Sequence, residues 1–167
     1  MRRLILLFLV SVFSQVSLWA ADTPSAEIFG GFSVLTAASG GSRVTPLGWQ
    51  GSIAGSLSDH ISLVGDIGGQ YKNSAHIYEY LGGVKVASRQ DALTIFGHAL
   101  YGAATGGGGG ATAVTSFMMG YGGGLDLKAS NGIAIRAIQF DWLPSRTNGS
   151  WLNNQLRFGF GLVFLSE

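Results

Sequence analysis

The chain has 167 residues, 27 of them glycine and none cysteine, and only 11% of them are charged. Soluble domains carry about 25% charged residues, and a formal net charge of +1 is no electrostatic footprint for nucleic acid. With 47% hydrophobic residues the chain is too apolar to stay disordered, and without cysteine it has no disulfide scaffold.

The first element is a leader. Met1, Arg2 and Arg3 form a basic start, residues 4–10 (LILLFLV) open an apolar stretch that runs with polar breaks to Trp19, and Ala20 and Ala21 are small residues suited to cleavage. This is the pattern of a secretory signal peptide over residues 1–21, and the uninterrupted apolar run is too short to span a bilayer as a helix. The alternative is a retained N-terminal helix. Removal leaves one domain, residues 22–167, with eight Lys and Arg against nine Asp and Glu once Arg2 and Arg3 are gone.

Beyond the leader no stretch has a helical period. Eight segments alternate apolar with small or polar residues, at about 26–37, 47–58, 61–72, 76–88, 92–104, 113–128, 133–144 and 153–165. Period two predicts strands, and eight long strands with nothing else predict an all-β, eight-stranded antiparallel up-and-down barrel, since closure removes exposed edges. Connections at 58–60, 88–91 and 130–132 are tight and polar, while those at 38–46, 104–111 and 144–149 read as longer loops. Short turns at one end and longer loops at the other are the layout of a transmembrane barrel with its turns in the periplasm. The glycine run at 106–110 reads as a flexible loop tip and not a phosphate loop, because no Lys-Ser/Thr and no helix follow it.

The two faces sort by chemistry. One carries Trp49, Ile53 and Leu57, then Leu63, Ile67 and Tyr71, and ends with Phe158, Phe160, Leu162 and Phe164, with no charged residue along it. The other carries Asp66, Glu79, Lys85, His98, Asp126, Lys128, Arg136 and Arg157. A soluble barrel would be the reverse, so the apolar face is expected outside against lipid, where a Lys or Arg at mid-bilayer costs about 2–4 kcal/mol. The aromatic residues Trp49, Tyr71, Tyr78, Tyr101, Phe117, Trp142 and Trp151 fall near one end of their strands, as rings that seek the headgroup level do; Phe164 and Phe160 are left for the other end.

The seventh segment breaks the alternation. Ile133 and Ile135 face lipid in one parity, Phe140 and Trp142 in the other. An extra residue near Ala137 and Ile138, a β-bulge, reconciles them; the alternative is an outward Asp141 near the strand end. Charges buried in a narrow lumen must pair. Asp126 and Arg136 are equidistant from a turn at Asn131, and Asp141 and Arg157 from one at Gly149, so these are the expected pairs, with Asp66, Glu79 and Lys85 in the same interior. Inward glycines, among them Gly120, Gly122, Gly124, Gly159 and Gly161, leave room for the long side chains.

The stretches AEIFGGFSVL (26–35), FGHALYGAA with GYGGGLDLKAS, and the terminal RFGFGLVF resemble the small eight-stranded outer-membrane β-barrel family, the OmpA-type transmembrane domain and its opacity-protein relatives. The resemblance covers essentially all of residues 22–167. It implies that the last strand carries an assembly signal at Arg157, Gly159, Leu162 and Phe164, read by the barrel-assembly machinery, although here three residues follow the aromatic. No sequence remains for the peptidoglycan-binding domain of that family, and that role is not expected here. It implies a bacterial outer-membrane location, contact with outer-membrane lipid and lipopolysaccharide, a monomer, no cofactor and a non-enzymatic structural or surface-interaction role. A narrow gated pore is the second reading and an outer-rim lipid-modifying enzyme the third. For the last, nucleophilic catalysis needs a base oriented by a third group, and Ser74, His76 and Glu79 are the only cluster at the expected outer rim. His60 reads as a turn residue and His98 as a hydrogen-bonded lumen residue. Three scattered histidines without cysteine argue against a structural metal site.

Overall fold

The computed structural model describes residues 23–39 and 42–166; the expected leader lies outside them. The strands are β1 (Ala26–Ser39), β2 (Ser42–Val44), β3 (Leu47–Ser56), β4 (Ile61–Lys72), β5 (Ala75–Arg89), β6 (Leu93–Gly108), β7 (Ala111–Ser130), β8 (Ile133–Trp142), β9 (Ser145–Thr147), β10 (Ser150–Leu152) and β11 (Gln155–Ser166). The eight long ones pair antiparallel with their chain neighbours, and β1 pairs with β11 to close the ring. The ladders thus run right round the wall, as a sheet in hydrocarbon requires. The end with the turns at residues 57–60, 90–92 and 131–132 is called lower, and the opposite end upper.

Two expectations about the upper connections are corrected. Strands β6 and β7 continue through the glycine run, and only Gly109 and Gly110 turn, with φ of 65° and 83°. Period-two reading is blind there, because glycine and alanine mark no face while the backbone goes on pairing, as between Ala75 and Gly108. The other long loops contain strand too. β2 folds back on β1, and β9 and β10 form a hairpin turning at Asn148 and Gly149, both with positive φ; Asn-Gly is the favoured pair for such a two-residue turn. β9 pairs with β7 through Phe117 opposite Arg146, so the wall extends above the barrel.

The polarity is inverted relative to a soluble barrel. Ile28, Phe32, Ile53 and Leu63 are more than half exposed on the outside, while Glu79, Asp141 and Arg157 have no exposed surface inside. Along β4, Ser62, Val64 and Asp66 are buried, whereas Ile61, Leu63, Gly65 and Ile67 are exposed. The bulge lies at the expected place: Leu125 pairs with Ile138 and Asp126 with Arg136, and Ala137 is skipped. This turns Asp141 inward, and the alternative of an outward Asp141 falls.

Inward glycines make the space that the charges occupy. A Cβ on Gly122 would stand 2.1 Å from the Phe140 carbonyl oxygen and 2.3 Å from Asp141 Oδ1. At Gly68 it would stand 2.8 Å from Glu79 Oε2, and at Gly159 2.8 Å from Gln50 Oε1.

Candidate functional site

The lumen is built around two arginines. Arg157, from the upper part of β11, donates from Nε and Nη2 to Asp141 Oδ2 at 3.0 and 2.8 Å, and from Nη1 to Glu79 Oε2 at 2.6 Å. Asp66 Oδ1 lies 3.0 Å from its Nη2. One guanidinium thus faces carboxylates from β4, β5 and β8. Asp141 also receives Gln139 Nε2 at 2.8 Å and lies 2.7 Å from His98 Nε2. Asp66 accepts from Gln50 Nε2 at 2.7 Å. Charges this deep persist only when paired and hydrogen-bonded.

Arg136 forms the second centre. Its Nε and Nη2 donate to the two oxygens of Asp126 at 2.8 and 3.0 Å, the planar fork matching the carboxylate. Its Nη1 donates to Gln139 Oε1 at 2.8 Å, so Gln139 joins the two centres. Phe29 and Phe96 sandwich the guanidinium, with ring centroids 4.2 and 4.4 Å from Cζ, a favourable place for a cation over two ring faces.

Lower down, Lys85 pairs with Glu27, and Arg89 Nη2 donates to Glu27 Oε1 at 2.7 Å. Below them a vestibule of about 470 Å³ opens at the lower end, walled in part by Glu27, Arg89, Thr94, Asp126 and Lys128. Between the two arginine centres the free space is about 10 Å³, bordered by Ser52, Asp66, His98 and Gln139. Not all of the interior is polar. Leu35, Leu81, Leu100, Met118 and Leu143 form a buried apolar cluster beside the Arg157 centre, with Leu35 opposite Arg157 and Leu81 opposite Asp66 in the ladders.

The aromatic residues form a belt outside. Trp49 Nε1 donates to Tyr71 Oη at 3.5 Å, and Tyr71 Oη to Tyr78 Oη at 3.4 Å. The Trp49 indole covers Gly69, where a Cβ would stand 2.7 Å from Nε1, an aromatic ring shielding a bare strand position. Tyr101 meets Tyr121 edge-on at 6.1 Å, and Tyr121 lies 6.0 Å from Trp142. Phe117 and Trp151 are also exposed outside, Trp151 on the β9–β10 hairpin with Arg146 over its ring at 5.9 Å. In the terminal strand, Arg157 and Gly159 point inward while Leu162 and Phe164 point outward.

Sequence reading missed Glu27 and Arg89 as lumen charges and Tyr121 as part of the belt. Glu27 was readable from parity, since Ile28 next to it faces out; Tyr121 was visible as an outward aromatic, but its height depends on barrel tilt. The upper-rim group of Ser74, His76 and Glu79 is not assembled. His76 packs on the Tyr78 ring at 5.1 Å, while Glu79 points the other way to Arg157. Among the described residues no group of three or more His, Asp or Glu side chains is arranged to hold a metal ion.

No protein-family model matches the chain, and no curated protein matches it. Solved structures do. Neisserial surface protein A (NspA) matches with a TM-score of 0.67 at 10% identity, over 86% of this chain and 97% of that one. The N-terminal β-barrel domain of Pseudomonas aeruginosa OprF matches at 0.62 and 13%, over 84% and 97%. Ail, the attachment invasion locus protein of Yersinia pestis, in complex with the heparin analogue sucrose octasulfate, matches at 0.57 and 13%, over 85% and 98%. At such identities the likeness is one of fold: this chain has the closed eight-stranded architecture of outer-membrane β-barrels.

Proposed function

We propose that the chain is a non-enzymatic protein of the bacterial outer membrane that acts at the cell surface through its upper end. The observation that carries this reading is the distribution of charge. Above the aromatic belt the described chain has Arg43, Lys72 and Arg146, all exposed, and no Asp or Glu. The described acidic residues lie in the lumen or at the lower end, as Asp59 and Asp91 do. A ring of cations directly over a belt of Trp and Tyr suits a surface crowded with phosphate: the aromatic rings seat at the headgroup level and the cations meet the anions above it. The partner at this ring is the phosphate of lipopolysaccharide, or of another anionic glycan presented to the cell. Ail has been solved with a heparin analogue, and a polyanion is the class of ligand that the cationic upper end of this barrel is suited to.

Within this reading the lumen is occluded by its ion pairs, the barrel is a monomer, and the assembly machinery inserts it after export and removal of the leader. The decisive test replaces Arg43, Lys72 and Arg146 together with glutamate in cells. Envelope permeability and adhesion to an anionic glycan surface should both change, with barrel abundance unaltered. Unchanged readouts at normal abundance would remove the surface role. N-terminal sequencing of the membrane-extracted protein should begin at Ala21 or Asp22; retained Met1 would contradict both export and location.

A further inference from the structure

The vestibule at the lower end holds about 470 Å³, a volume within the range of small-molecule sites. Above it, the free space between the two arginine centres is about 10 Å³, the scale of a single water. The vestibule is therefore a dead end for any solute, and a molecule that enters it stays at the lower end. Its charge is positive once every pair is counted. Two cations share one acid there, since Lys85 and Arg89 both bind Glu27. Asp126 takes bonds to both of its oxygens from Arg136, one charge against one. Lys128 lies two residues beyond Asp126 on the same inward face of β7, and among the described residues it has no ion pair.

The remaining charged side chain of the lining, Asp91, is exposed on the turn between β5 and β6. The Lys128 amide donates to the carbonyl of its neighbour Ala92 at 3.0 Å, yet Asp91 and the Lys128 ammonium form no salt bridge. Lys85, Arg89, Arg136 and Lys128 thus stand against Glu27, Asp126 and Asp91, a surplus of one cation. The acid surplus of the lumen lies higher, at the Arg157 centre. The carboxylates of the vestibule wall already accept bonds, so the wall offers a ligand mainly donors. These are the Lys128 ammonium, the Thr94 hydroxyl opposite Asp126, and Arg89, which spends one N–H on the Asp59 carbonyl and one on Glu27 out of the five a guanidinium carries. We propose that the vestibule is a binding site for a small oxyanion, a solute bearing a carboxylate or a phosphate, held between Lys128 and Arg89. Guanidinium and ammonium groups bind both anions through charge-assisted hydrogen bonds. On the outer-membrane reading above, the site faces the periplasm; the binding itself does not depend on that reading or on the cationic upper rim.

The test follows backbone amide resonances of the intact folded barrel in a neutral maltoside detergent, at constant ionic strength. Inorganic phosphate is added in one series and succinate in another. The amides of Thr94, Lys128 and Asn131 should shift saturably, and the probe that binds more tightly tells phosphate from carboxylate. Shifts at Arg43, Lys72 and Arg146 report the upper rim separately, so that the surface role and this site fail independently. Lys128→Gln breaks no ion pair and should weaken binding about tenfold or more, as loss of a hydrogen bond to a charged group does. Asp91→Asn removes the acid at the lip and should tighten binding severalfold; heat-modifiable gel mobility checks that both variants are folded. No saturable shift at the vestibule with either probe, an equal response there to glycerol or to spermidine, unchanged binding in folded Lys128→Gln, or weaker binding in folded Asp91→Asn would each overturn the proposal.

Discussion

Arg136 and Arg157 are both fully paired guanidiniums in one lumen, yet they are held in different ways. Arg136 is satisfied within a hairpin: Asp126 is its cross-strand partner and Gln139 is three residues on. Its remaining faces are covered by Phe29 and Phe96. Arg157 draws one partner, Asp141, from its neighbouring strand and two, Glu79 and Asp66, from far around the ring, 78 positions away in the case of Glu79. The hydrogen bonds of the first site are complete once two strands meet, and only its aromatic cover comes from β1 and β6. The second exists only when the barrel is closed, and it holds an excess of negative charge that one cation must balance. The lesson is that a local pair and a closure-dependent hub of the same chemistry contribute to different stages of the fold.

The largest effect is expected at the hub. Arg157→Leu leaves three buried carboxylates without their shared cation and should cost at least the roughly 3–5 kcal/mol of a broken buried pair, read from urea titration of heat-modifiable mobility in lipid. A loss no greater than that of Arg136→Leu would show that Gln50, Gln139 and His98 hold the acids by themselves. For the local site, a double-mutant cycle on Asp126→Asn and Arg136→Gln should give coupling of about 0.5–3 kcal/mol, as for residues in direct contact; additive effects would mean that the aromatic sandwich, and not the carboxylate, holds Arg136.

Smaller effects separate the two faces of the wall. Gly161→Ala places a Cβ 2.3 Å from the Gly30 carbonyl oxygen and 2.5 Å from Gly31 Cα at the closing seam. It should destabilise by about 1–3 kcal/mol, as overpacking does. In the terminal strand, Phe158 packs on Phe140 at 5.3 Å, whereas Phe164 lies at the lower end opposite Ile28 and Ile133. Phe158→Ala should therefore weaken the folded barrel with normal targeting. Phe164→Ala should cut assembly more than stability, by less than the roughly 3–5 kcal/mol of a buried Phe; equal assembly defects in the two would leave Phe164 an ordinary lipid-facing residue. Outward Gly65→Ala, whose Cβ would meet only Ile53 Cγ2 at 3.8 Å, should stay within about 0.5 kcal/mol of the parent.

Strand positions were legible because a lipid-facing wall writes its polarity into every second residue. β4 spans the segment read from the alternation, and the bulge at Ala137 and Ile138 was visible as a parity conflict between Ile135 and Phe140. The reading failed where side chains carry no polarity. Glycines 106–108 extend β6, and β2, β9 and β10 are too short for a period to register. In the lumen, Asp126 opposite Arg136 and Asp141 opposite Arg157 were within reach of hairpin symmetry. The partner of Lys85 was not: Glu27 sits on β1, which does not pair with β5, and the two meet only across the interior.

By itself the sequence determined which residues face lipid and which face inward, and with that an all-β closed barrel. Alternation is a local property, and a strand buried in hydrocarbon on one side keeps it except where a bulge, as at Ala137, resets the parity. Only the tertiary structure decided which inward charges share a partner and that an apolar cluster packs beside the Arg157 hub. Those arrangements depend on the tilt and stagger with which the ring closes, and on the gaps left by Gly68, Gly122 and Gly159. They are properties of side chains crossing a lumen, which no single strand or hairpin encodes.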